Sequence, residues 1–155
     1  MNKILTLRGV DSYRKNEIKK NEEIEYTKIP DSFDPDTWPR NCNLNCYNCS
    51  LSIDEFPLFI PIIDRDEGTL ERYNKTLMCS PSCVLKQILD LNLDLNFYLE
   101  GLRGLIQILT GKMIIHFDST EDKLCLLMYG GSLTSTEFKN KIYELNKEYF
   151  DNLDN

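Results

Sequence analysis

Four of the six cysteines fall in the pattern Cys46-x2-Cys49-x29-Cys79-x3-Cys83, two close pairs separated by a long loop. No other feature of the chain narrows the fold so far. A Cys-x-x-Cys turn can place two sulfurs on one ion, and two such pairs supply the four thiolates that tetrahedral Zn²⁺ takes at about 2.3 Å each. A disulfide framework would ask for a cysteine density of about 8–10% in a short secreted chain. Six cysteines in 155 residues fall well short of that. The opening residues MNKILTLRGV lack the long apolar stretch and small-residue cleavage site of an export signal. A reducing compartment is therefore expected, where paired spacing points to zinc. The expected ligands are Cys46, Cys49, Cys79 and Cys83, around one structural Zn²⁺. Cys42 finds no vacancy in a four-sulfur site. Cys125, set among Leu124, Leu126 and Leu127, reads as a core thiol.

The residues around the pairs suggest how the backbone delivers them. In Met78-Cys79-Ser80-Pro81-Ser82-Cys83, Ser80 is a good helix N-cap and Pro81 suits the first helical position, where a missing N–H costs nothing. Val84, Leu85, Ile88 and Leu89 then give an apolar helical face. Cys83 falls in the first turn, where the positive helix end favours a thiolate. Between the pairs, Phe56 to Ile63 suits a strand, placed at an edge because Pro57 and Pro61 cannot donate to a ladder. Asp66-Glu67-Gly68 provides a turn, and Arg72 to Met78 is expected to return as the second strand. Knuckle, β-hairpin and helix make a treble-clef-like layout, and the fold class is α+β.

Three segments organise the chain. Residues 1–29 form an arm rich in Lys, Glu and Asn; 30–91 form the zinc-finger module; 92–155 form a helical region continuous with the finger. The turn-rich Ile29 to Asp36 marks the entrance to the folded body, and Trp38, the only tryptophan, is expected to pack against the metal module. Downstream, Asn92 to Thr110 carries Leu95, Leu99, Leu102, Leu105, Ile106 and Leu109 and ends at Gly111, a helix with a glycine C-cap. Lys112 to Phe117 reads as extended. Asp118-Ser119-Thr120-Glu121 resembles a capping box opening a helix that stops at Gly130-Gly131. Thr134-Ser135-Thr136-Glu137 repeats the signal before a last helix with Phe138, Ile142, Leu145 and Tyr149 on one face.

Charge and residue inventory restrict the chemistry. The net charge is -7, yet residues 1–29 hold seven basic and five acidic groups, which leaves -9 on the remainder. A body that acidic repels polyanions. Any DNA contact is expected to be weak and confined to the N-terminal arm. His116, the only histidine, has no second imidazole to work with, whereas treble-clef nucleases of the His-Asn-His type need at least two. Gly130-Gly131 is followed by no Lys-Ser/Thr, so it reads as a helix end rather than a phosphate loop. Four thiolates fill a zinc ion and leave no position for an activated water. The expectation is no enzyme, no small-molecule substrate and no membrane span, since no apolar run reaches about 18 residues.

Cys46-Tyr47-Asn48-Cys49, the Pro57–Ile62 stretch and Met78-Cys79-Ser80-Pro81-Ser82-Cys83 together resemble the CxxC…[F/M]CSxxC finger of late gene transcription factors of nucleocytoplasmic large DNA viruses, the poxvirus late transcription factor 2-like family. The finger is also similar to MYM/FCS-type fingers of cellular proteins. Tyr129-Gly130-Gly131-Ser132-Leu133-Thr134-Ser135-Thr136-Glu137-Phe138 resembles the segment that follows the finger in the viral relatives, and Trp38-Pro39 has a counterpart before the first knuckle. The likeness spans roughly residues 36–140. Asn48 stands where the family usually has an aromatic, and Met78 where Phe is common. The resemblance implies a viral late-gene transcription accessory factor, an activator acting as a zinc-stabilised scaffold for RNA polymerase or other viral transcription proteins. It implies residence in the virus factory of the host cytoplasm, with packaging in the virion as a second location. A virion-associated or host-interfering adaptor with a purely structural finger is the alternative.

Overall fold

Ser80 and Pro81 set the first helix among the described residues as their chemistry requires. In the computed structural model, which describes residues 24–153, α1 spans Pro81–Asp90 with Ser80 as N-cap, its side chain accepting from the Cys83 N–H. Asp94 caps α2 (Leu95–Thr110) in the same way, and Gly111 ends it in the left-handed conformation. A complete capping box formed by Thr134 and Glu137 opens α3 (Ser135–Leu145), and α4 (Lys147–Leu153) follows after a break at Asn146. The expectations for the basic arm fall mainly on residues 1–23, outside the described residues. Among the described ones, the Thr27 N–H donates to Asn43 Oδ1 at 2.7 Å and Asn43 Nδ2 donates to the Glu25 carbonyl at 2.7 Å.

The sheet has two antiparallel strands, β1 (Pro61–Asp64) and β2 (Thr69–Arg72), in register from Pro61 opposite Arg72 to Asp64 opposite Thr69. The return strand thus starts at Thr69 and not at Arg72. Asp64 Oδ1 accepts from the N–H groups of Asp66 and Glu67, and its carbonyl accepts from Gly68, so the turn closes within four residues and the chain pairs again at once. The first half of the apolar run is not regular strand. Leu58 and Met78 instead exchange two backbone hydrogen bonds, at 2.9 and 2.7 Å, which lays Cys79 beside the base of the hairpin.

The helix expected between Asp118 and Gly130 is replaced by two 3-10 turns, Lys123–Cys125 and Leu127–Tyr129. Asp122, not Asp118, caps the first turn, and Leu126 between the turns is extended and buried. Gly130, at φ +90°, ends the second turn in a conformation that a side chain would strain. The chain then folds straight back, with the Leu133 N–H donating to the Cys125 carbonyl and the Leu127 N–H to the Leu133 carbonyl. Lys112 to Phe117 carries no regular element, although Ile114 is buried.

One apolar core joins the finger segment to the helices: Leu58, Phe59, Ile60, Met78, Val84, Ile88, Leu102, Leu105, Ile106 and Phe138 are all at most 1% exposed. Leu89, Leu95 and Leu145, placed on apolar faces by periodicity, are exposed among the described residues. α2 packs on β1, α1 and α4. A Cβ on Gly101 would sit 2.9 Å from the Pro61 carbonyl oxygen, so only glycine lets α2 lie this close to β1. Trp38 is buried against Phe33 and Phe59, with ring centroids 5.3 Å away in each case, and its Nε1 donates to the Pro57 carbonyl at 2.9 Å. Trp38→Phe keeps the ring contacts but orphans that carbonyl. The expected result is a loss of about 1–2 kcal/mol, seen as a lower urea midpoint at unchanged slope.

Candidate metal centre

One tight turn, one short backbone pairing and one helix start carry the four sulfurs. In the first half, the Cys46 N–H donates to the Leu51 carbonyl and the Ile53 N–H to the Leu44 carbonyl, a short pairing that turns through Cys49 and Ser50. Ser50 takes a left-handed φ of 69°, and its N–H donates to the Cys46 carbonyl at 2.8 Å. This turn brings the Cys49 N–H to 3.5 Å from Cys46 Sγ, a bond that stabilises negative charge on the sulfur. In the second half, Cys79 leaves the Leu58–Met78 pairing and Cys83 lies in the first turn of α1.

The structure brings all four sulfurs together within 4.8 Å of one another, and all four residues are buried. Cys49 Sγ and Cys83 Sγ each lie 3.7 Å from Cys79 Sγ. A disulfide needs about 2.05 Å, so these thiols are free. Four sulfurs at about 2.3 Å from a tetrahedrally held ion stand about 3.8 Å apart. The quartet is therefore spaced to hold a metal ion.

The electrostatics of the quartet agree. Burial pushes the Cys46 thiol up, but hydrogen bonds from the other three cysteines and from the Cys49 N–H outweigh it and hold Cys46 well below the usual thiol range. Cys79 and Cys83 are pushed the other way, first by their bonds to Cys46 and Cys49 and further by burial. On its own the cluster thus favours negative charge at Cys46 and disfavours it at Cys79 and Cys83. Ionising all four requires a cation between them.

Cys42 and Cys125 lie outside the quartet. Both are half-buried and pack against the core, so Cys125 lies at its margin and is not fully buried as its leucine neighbours suggest. His116 is exposed, with Nε2 3.2 Å from Asp118 Oδ1.

Periodicity and spacing missed three contacts around the site. Asn146, 5% exposed, accepts from the Ser82 N–H at 3.1 Å and from the Ser82 hydroxyl at 3.0 Å, while its Nδ2 donates to the Ile142 carbonyl. A helix beginning in the core must have its first N–H groups satisfied. Here Pro81 has none, Ser82 uses Asn146, Cys83 uses the Ser80 hydroxyl, and Val84 uses the Ser80 carbonyl. The available signal was an asparagine four residues after Ile142, in an apolar register. The Tyr129 and Ser50 hydroxyls are 2.7 Å apart, which ties the double turn to the knuckle. Asn48 bonds to Gln87 of α1.

Among the described residues no helix is long and apolar enough to cross a membrane. No family model, curated protein or solved structure matches the chain.

Proposed function

We propose that Cys46, Cys49, Cys79 and Cys83 bind one structural Zn²⁺ in a treble-clef-like finger, and that the protein is a late-gene transcription accessory factor of a large DNA virus. The observation that carries the metal reading is the convergence of four buried sulfurs within 4.8 Å of one another, two of the contacts at 3.7 Å. All-thiolate, tetrahedral donor sets favour zinc over calcium, magnesium or manganese. Such an ion keeps no open position, so it activates no water, and the site acts as a staple and not as a catalyst. The finger's surface then serves as a scaffold for protein contacts.

The transcription reading rests on the likeness of the two sequence blocks to the viral family. The hydroxyls of Tyr129, which opens the second block, and Ser50 beside the first knuckle are in contact, so the two blocks lie together in the fold. The acidic body favours protein partners over direct DNA binding. Affinity purification from infected cells tests the proposal. It is expected to recover viral RNA polymerase or other late factors, and depletion is expected to abolish late reporter expression. Stoichiometric abundance in purified particles, with late expression intact on depletion, would favour the adaptor role instead.

A further inference from the structure

We propose that Asn48 and Gln87 form a strut that holds the two halves of the metal centre at ligating distance, which makes both of them positioning residues for the ion. The two sulfur pairs reach the site on separate pieces of backbone. Cys46 and Cys49 come from the first knuckle; Cys79 and Cys83 come from the hairpin base and α1. Asn48 sits between Cys46 and Cys49. Gln87 lies four residues after Cys83, one turn along the same helix face. Gln87 Nε2 donates to Asn48 Oδ1 at 2.8 Å, a side-chain bond that spans 39 residues and joins one ligand pair to the helix bearing the other.

Burial makes this bond more than a surface decoration. Asn48 is 5% exposed and its Oδ1 meets Gln87, while its Nδ2 is buried without a hydrogen-bond partner. An asparagine held there is costly to the protein alone, because a buried donor goes unpaired. An apolar side chain of similar size would pack there without that cost. The bond to Gln87 is what the asparagine supplies and a leucine cannot. It fixes the knuckle's rotation against α1, and with it the distance from Cys46 and Cys49 to Cys83. Polar groups that orient metal ligands in this way are typically worth about 10–100-fold in metal affinity.

The strut presupposes the metal reading, and one experiment separates the two. The full chain is titrated with Co²⁺ and then with Zn²⁺ against a chromogenic chelator, as wild type, Asn48→Leu, Gln87→Leu, the double leucine variant, and the exchange Asn48→Gln/Gln87→Asn. Wild type is expected to take one ion and give the absorption of tetrahedral Co²⁺ with sulfur ligands. Each single variant is expected to lose about 10–100-fold in affinity, with the double no weaker than the weaker single. The exchange, which preserves the summed side-chain length, is expected to recover most of the loss. Singles that bind as tightly as wild type, losses that add in the double, or an exchange that recovers nothing would overturn the strut and leave the metal reading standing. A wild-type chain that takes up no stoichiometric ion removes both. Gln87 is only partly buried and the exchange keeps both amides, so an Asn48→Leu variant that failed to fold would still leave two informative proteins.

Discussion

Stripping the ion with a chelator is expected to abolish the cooperative unfolding transition of the protein, not merely to lower its midpoint. Structural Zn²⁺ sites contribute roughly 10–16 kcal/mol at neutral pH, and a domain of this size has about 5–15 kcal/mol of net stability. The first quantity matches or exceeds the second. The regular structure around the site cannot compensate. The sheet is two strands of four residues each, too short to be stable unsupported. The four cysteines also belong to the same buried cluster as Leu58, Phe59, Met78 and Val84, so opening the quartet opens the core. Cys83→Ser should behave like chelation, since it removes one of the four buried sulfurs of the quartet. Cys42→Ser, outside the quartet, should leave metal content and melting unchanged. Far-UV circular dichroism together with metal analysis checks all three. A metal-free chain with the melting curve of the loaded one would refute the staple.

Asn146→Ala is expected to cost about 2–4 kcal/mol, because it leaves both the N–H and the hydroxyl of buried Ser82 without an acceptor. The damage reaches the metal site through the start of α1, since Cys83 follows Ser82 directly. Asn140→Ala, an exposed change on α3, should stay within about 0.5 kcal/mol. Urea unfolding of the zinc-loaded proteins measures both. Equal midpoints for Asn146→Ala and wild type would show that the start of α1 is satisfied some other way.

Three helix boundaries were legible in the chain because donor and acceptor there stand within four residues. Ser80 with Pro81, Gly111, and Thr134 with Glu137 each mark a helix boundary that the structure shares. Asp118-Ser119-Thr120-Glu121 carried the same kind of signal and failed. The backbone groups of Cys125, Leu127 and Leu133 pair with one another, and this returning chain displaces a continuous helix. The hairpin differs from expectation for a related reason. Its return is expected from Arg72 onward, but the Asp64 side chain closes the turn early and starts pairing at Thr69.

Cysteine spacing was enough to say which sulfurs could meet, since a short turn constrains its own two side chains and a helix start constrains the next few. It could not say what holds the two halves against each other. Asn48 with Gln87 and Ser82 with Asn146 are separated by 39 and 64 residues, and no local pattern pairs either residue with its partner. Those contacts exist only once the core has excluded water, because a buried polar atom must then find whichever partner the packing places beside it.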